Sequence, residues 1–319
     1  MNTKTILGTA IGIIVIVGLI IWGVLARPAS VPAAQTSGNN GGASNGKVLQ
    51  VVAAENFWGS IVSQIGGTHV QVLSIVSDPN ADPHEYESNA TDARAVSTAD
   101  YVIENGAGYD SWVDKLISAG SSNPDRKVLN VADLLGKKEG DNPHMWYDPA
   151  YVNQVSVQIE SDLIALDPAD ASDYQKNYAT LQASLAEYQN RIVSIKQQYA
   201  GTQVAATEDI FSYLATAAGL DLISPPAFIQ AVAEGNDPPA DSIVAFEDQL
   251  KGGNVKVLVY NEQTVTPLTE NIKKLAADQG IPVIGVTETI QPPDATFEEW
   301  VNAQLIDLQN ALNADALGQ

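Results

Sequence analysis

Apolar positions are distributed along this chain in three distinct ways. Residues 6–26 form one almost uninterrupted apolar run without a charged side chain. Residues 28–47, PASVPAAQTSGNNGGASNGK, are small and polar, and rich in Gly and Pro, so they form no packed element. From Val48 onward, short apolar runs alternate with amphipathic stretches. VLQVVAA reads as a strand buried on both faces. Residues 56–65 then read as a helix closed by Gly66 and Gly67. HVQVLSIVS follows as a strand, TDARAVSTA as a short helix, DYVIENG as a strand, 111–119 as a helix, and RKVLNVADLL as a segment holding another strand. This alternation predicts a parallel sheet flanked by helices.

The period changes near residue 169. Tyr174, Tyr178, Leu181, Leu185, Tyr188, Ile192, Ile195 and Tyr199 recur at spacings of 4, 3, 4, 3, 4, 3 and 4. That is one apolar stripe on a helix of about 30 residues, far longer than the usual 11 or 12. Such a helix is either a strut between two lobes or a coiled-coil oligomerisation element. Its place between two α/β blocks favours the strut. After Gly201 the alternation resumes: TQVAAT as a strand, 209–218 and 241–250 as helices, VKVLVY as a strand, 267–279 as a helix, IPVIGV as a strand, and 296–312 as a final amphipathic helix. The openings of the two blocks, VVAAENFWGSIVSQIGG and VAATEDIFSYLATAAGL, share the order strand, acidic turn, helix, Gly. The expected fold class is α/β, with two lobes, each a parallel sheet flanked by helices, joined by one long backbone helix. The expected boundaries are 1–27 for a signal or membrane anchor, 28–47 for a flexible linker, 48–168 for the first lobe, 169–200 for the connecting helix and 201–319 for the second lobe. Strand ends in open α/β sheets are where ligands bind, so two facing lobes would share one cleft.

Composition sharpens this picture. The 319 residues suit two domains, and 45% hydrophobic content suffices for their cores. Of 16 basic residues, Lys4, Arg27 and Lys47 precede position 48, where no acidic residue lies. The remaining 13 basic and all 38 acidic residues give the body a formal charge of −25. Such a surface repels nucleic acid and draws cations. With no cysteine, disulfides, thiolate metal sites, thiol catalysis and a lipidated N-terminal Cys are excluded. Residues 6–26 span about 31 Å as a helix, enough for a bilayer core. They predict an anchor holding the body outside the cell membrane, with cleavage near Ala26 or Ala29 as the alternative fate.

Chemistry concentrates in few places. There are three histidines. His84, in SDPNADPHEYE after a strand, and His144, in GDNPHMWYDP before a helix, both follow proline in polar loops, where functional residues gather. His69, in GGTHVQV, reads as an ordinary turn residue. The second half has no histidine, so a shared site would take oxygen donors there. Glu208 follows strand TQVAAT and Glu288 follows strand IPVIGV. Each stands at a strand end, though a carboxylate there also serves as a plain helix-start partner. Two imidazoles and two carboxylates together suit one manganese, iron or zinc ion. HExxH, GxSxG and GxxxxGK[ST] are all absent, so no enzyme class is indicated and no organic cofactor is expected.

DPHEYE, NPHMW with its following helix, the TED turn, LVYNEQTVTPLTENI and the terminal strand–acid–helix resemble the zinc/manganese ABC-transporter solute-binding proteins, the cluster A-I metal receptors. The resemblance spans about residues 48–315. It implies two α/β lobes with a long backbone helix, a single divalent cation as cargo, and delivery to an ABC permease and its ATPase. It also implies a monomeric, non-enzymatic receptor on the extracytoplasmic face of a bacterial cell membrane. By resemblance the metal ligands are His84, His144, Glu208 and Glu288. The third position is His in many zinc receptors and Glu in many manganese receptors. The fourth is commonly Asp, so Glu288 is a departure. The stretch LLGKKEGDNPH lacks the His-rich loop of many zinc receptors, which with Glu208 leans toward manganese. Family members are often lipoproteins; without Cys, the N-terminal helix would supply the tether. A metal-independent surface adhesin and a receptor for a small organic solute, its cleft lined by Trp58, Trp112 or Trp146, are the competing readings.

Overall fold

A computed structural model describes residues 47–80, 83–120 and 123–314. The expected anchor and linker lie outside these residues. Among the described residues no helix is long and apolar enough to cross a membrane.

The first half runs β1 (Leu49–Glu55), α1 (Asn56–Gly66), β2 (Val70–Val76), α2 (Ala90–Thr98), β3 (Tyr101–Glu104), α3 (Trp112–Ala119), β4 (Lys127–Asn130), α4 (Val131–Leu134) and α5 (Pro149–Leu166). The long helix α6 (Ala171–Tyr199) follows. The second half runs β5 (Gln203–Ala206), α7 (Ser212–Ala217), β6 (Asp221–Leu222), α8 (Pro226–Ala233), α9 (Ala240–Lys251), β7 (Leu258–Asn261), α10 (Pro267–Asp278), β8 (Val283–Val286) and α11 (Phe297–Asn313).

Each half builds one four-stranded parallel sheet, in the orders β2-β1-β3-β4 and β6-β5-β7-β8. Numbered within its own half, each sheet reads 2-1-3-4, so the likeness of the two openings extends to topology. In both sheets the winding reverses beside the first strand, the switch point where α/β sheets hold ligands. Glu55 ends β1, and Glu208 lies two residues beyond β5, at equivalent places.

The apolar stripe of α6 faces inward. Tyr174, Leu181, Leu185, Tyr188, Ile192 and Ile195 are buried in one core that includes Phe57 and Ile61 of α1 and Val301 and Leu305 of α11. The intervening polar positions make the ties. Asn177 Nδ2 donates to Ile65 O at the end of α1 (3.1 Å), while Arg191 Nε donates to Asn302 Oδ1 of α11 (2.6 Å). One end of α6 thus holds the first lobe and the other end holds the second, as a strut requires. The segment after β8 also crosses back. Ile290 N donates to Asn56 Oδ1, and Phe297 N to Ser60 Oγ, each at 3.0 Å. Residues on α1 thereby fix the approach of α11.

Two expectations differ from the structure in extent. VKVLVY narrows to β7 at Leu258–Asn261, although the backbone bonds Ala205 N to Val257 O and Lys256 N to Gln203 O continue its pairing with β5. The helix expected over 209–218 splits into a tight turn at Asp209–Phe211 and α7, and β6 and α8 were absent from the sequence reading. A two-residue strand has no period to read.

Candidate metal centre

His84 sits in a single helical turn, Pro83–Glu85, beyond the carboxyl end of β2. Its ring packs edge-on to Tyr109, with centroids 4.6 Å apart. His144 lies in the loop before α5 and is fully buried. The preceding Asn142 shapes that loop: its Oδ1 accepts from the backbone N–H of His144 and faces His144 Nδ1, both at 2.9 Å. Asn105 Nδ2 donates to Pro143 O (2.9 Å), anchoring the same loop to the end of β3. With Nδ1 engaged by Asn142 Oδ1, and Asp209 Oδ1 at 3.2 Å, Nε2 points toward Glu288.

Glu288 is fully buried and extends from the loop after β8. Its Oε2 lies 3.3 Å from His84 Nε2 and 3.8 Å from His144 Nε2, and accepts the Tyr109 hydroxyl at 2.7 Å. His84, His144 and Glu288 therefore each offer a donor atom within 4.8 Å of the others, a spacing that one metal ion can bridge. His144 Nε2 is buried without a hydrogen-bond partner, an orphaned nitrogen suited to a cation. The donor set fits a divalent transition metal. Glu208, also buried, stands outside this group of three. It joins through Asn261, whose Nδ2 donates to Glu208 Oε1 (2.6 Å) and Glu288 Oε1 (2.5 Å).

Electrostatics follow from burial. Burial alone would lower the His144 imidazole, but Asp209 and Glu288 outweigh it and raise its pKa to about 10. Burial and the adjacent Glu288 charge push Glu208 up to about 8. Burial would raise Glu288 too, yet the charges and hydrogen bonds of His84 and His144 hold it well below the usual carboxylate range. Glu55, the counterpart of Glu208 in the first lobe, is buried beside Asp110, and both effects keep its carboxyl protonated well above the ordinary range.

The lobes meet around this centre. Tyr213 OH donates to Asn142 O (3.0 Å), Asn142 Nδ2 to Asp209 O (2.8 Å), and Tyr147 OH to Thr287 O (2.7 Å). A cavity of about 650 Å³, lined by His84, Tyr109, Asp141, Asp209 and Ile229 among others, opens above His84. Trp58 and Trp146 are in the core, the latter stacked on Phe57, and Trp112 packs on Tyr86. None of the three tryptophans belongs to the cavity wall. His69 bonds Asp170 (2.9 Å) and Asp173 (3.0 Å), fastening the turn before β2 to the start of α6.

Tyr109, Asn142, Asp209, Asn261 and Gln263 escaped the reading of the sequence as site residues. The one visible signal was at Asn261, a polar residue closing the apolar run LVY.

Comparison with known proteins agrees with this architecture. The sequence model of the periplasmic zinc-uptake complex component A matches residues 51–311. The manganese-binding lipoprotein MntA of Halalkalibacterium halodurans is 28% identical over 191 residues, 58% of this chain and 63% of that protein. The match therefore spans less than two thirds of that relative's length. The metal ABC transporter substrate-binding lipoprotein SloC of Streptococcus mutans is 28% identical over 252 residues, 74% of this chain and 79% of SloC. Among solved structures, the solute-binding protein FpvC of Pseudomonas aeruginosa with Mn2+ superimposes with a TM-score of 0.70 at 22% identity, covering 84% of this chain and 100% of that one. The periplasmic zinc-binding protein TroA of Treponema pallidum gives 0.71 at 17% identity, covering 84% and 99%. These structural likenesses speak to the fold. With the family model covering most of the described residues, the chain belongs to the family of the periplasmic zinc-uptake complex component A, whose members are solute-binding receptors and not enzymes.

Proposed function

We propose that this chain is the extracytoplasmic receptor of an ABC importer, taking one divalent transition-metal ion, manganese or zinc, into the interlobe cleft and passing it to a permease driven by its ATPase. The observation that carries the reading is the convergence of His84, His144 and Glu288 within 4.8 Å, with Glu208 one amide away. His84 and His144 supply nitrogen; Glu208 and Glu288 supply oxygen and balance the charge of the ion. Residues 48–168 act as one lobe and 201–319 as the other, with 169–200 between them. Residues 1–27 tether the body to the outer face of the cell membrane, or direct its secretion if they are cleaved, and 28–47 give it reach. The receptor works as a monomer.

The test is complementation. In cells deleted for this chain and starved of metal, the wild-type gene restores uptake of radioactive manganese or zinc, and the His84→Ala/His144→Ala double variant does not. Restoration by the double variant overturns the receptor reading. Host-surface attachment equally supported by both forms would instead point to an adhesin.

A further inference from the structure

Asn261 closes β7 and is 1% exposed, so water does not substitute for its contacts. Its amide orientation is fixed from one side. The backbone N–H of Gln263 donates to Asn261 Oδ1 at 2.9 Å, which turns Nδ2 toward the carboxylates. There Nδ2 meets Glu208 Oε1 at 2.6 Å and Glu288 Oε1 at 2.5 Å, with Thr264 Oγ1 at 3.0 Å. An amide nitrogen carries two protons. The two shortest contacts take one each, and both acceptors belong to the candidate cation site.

The two oxygens of Glu288 are therefore divided. Oε1 belongs to Asn261, and Oε2 faces His84, His144 and Tyr109. Gln263 enforces the division: its Oε1 accepts from Glu288 N (2.6 Å) and Thr289 N (3.0 Å), so the backbone carrying Glu288 is held against rotation. An amide hydrogen bond to one carboxylate oxygen occupies one of its lone pairs and favours presenting the other oxygen to a metal. Zinc is satisfied by four ligands. Manganese favours an octahedral set of six oxygen-rich ligands, a number that two glutamates binding through both oxygens would help to supply.

Resting on the receptor reading above, we infer that Asn261 is a specificity-determining residue. By holding one oxygen each of Glu208 and Glu288, it disposes the cargo toward a four-coordinate set of two nitrogens and two oxygens, and so favours zinc over manganese. This opposes the lean toward manganese that Glu208 gives on its own. Neither glutamate is replaced by Asn261; it acts on the ion through them.

The experiment titrates metal-stripped wild-type protein and Asn261→Ala with zinc and with manganese, in competition with a chelating indicator. Loss of the amide is expected to lower zinc affinity by about 10- to 100-fold, the usual cost of removing a partner behind a metal ligand. Manganese affinity falls less, so the zinc-to-manganese affinity ratio drops by more than about twofold. A ratio unchanged within about twofold in a variant that melts as wild type does overturns the inference. X-ray absorption of wild type loaded with each ion gives a second test that no misfolded variant obscures. About four light-atom neighbours are expected around both ions, and six around manganese would overturn the inference. Failure of wild type to bind either ion would instead remove the receptor reading itself.

Discussion

At the proposed metal centre a proton and a divalent cation would compete for the same lone pair on His144 Nε2. In the metal-free protein the proton has help, because Asp209 and Glu288 raise that imidazole to about 10 despite its burial. Glu208, raised to about 8 by burial and by Glu288, also holds a proton at neutral pH. Metal ligands must be deprotonated, so loading releases protons. Both groups bind protons in the free form and release them in the loaded form, so affinity rises with pH until about 8 for Glu208 and about 10 for His144. Between pH 6 and 8 the association constant should climb by about one to two powers of ten per pH unit. Titrations in buffers of different ionisation enthalpy would count the protons; a flat profile with none released would contradict these assignments. The two loop histidines that the structure brings together stood out in the sequence because histidine is scarce here and both follow proline in polar loops. Tyr109, Asn142, Asn261 and Gln263 were not. Neutral hydrogen-bonding groups carry no spacing signature, and their partners lie up to 179 positions away, as Tyr109 and Glu288 do.

At the scale of elements, α6 was the most legible, since a 4-3 repeat sustained over eight positions has no strand reading. Its packing gives it a stability role separate from the site. Leu185 is fully buried midway along the helix. Leu185→Ala removes methyl groups from a core that joins both lobes and should cost about 2–5 kcal/mol in denaturant unfolding. Cation affinity measured below the transition should stay near that of wild type, because Leu185 belongs to the apolar core along α6 and not to the candidate donor set. A loss below about 1 kcal/mol would show that the stripe is not the packed strut described here. β6 and α8 were illegible for opposite reasons. Two residues hold no alternation, and Pro226, although it suits the first turn of α8, also reads as a turn residue next to Pro225. The paired sheets were anticipated because buried parallel strands are continuous apolar runs, as VLQVVAA is. Their common 2-1-3-4 order was beyond periodicity, since strand order depends on which helices cross which faces.

The whole molecule combines an acidic body with a candidate cation site where its lobes meet. A formal charge of −25 on the body raises the local concentration of cations without choosing among them. On the proposed function choice rests on the candidate centre, where His84 and His144, from loops 60 residues apart in the first half, meet Glu288 from the second. The strut and the bonds from α1 to the segment around α11 set the distance across which they meet. Sequence indicated that such a cleft would exist, but the closeness of the two halves of the site is a property of the folded pair of lobes. The most direct measurement is calorimetric titration of the metal-stripped protein with manganese and with zinc, beside the His84→Ala/His144→Ala variant. One equivalent bound tightly by wild type and lost in the variant is the predicted result. Equal binding by both forms, or none by either while both remain folded, would contradict the assignment of this cleft as the metal centre.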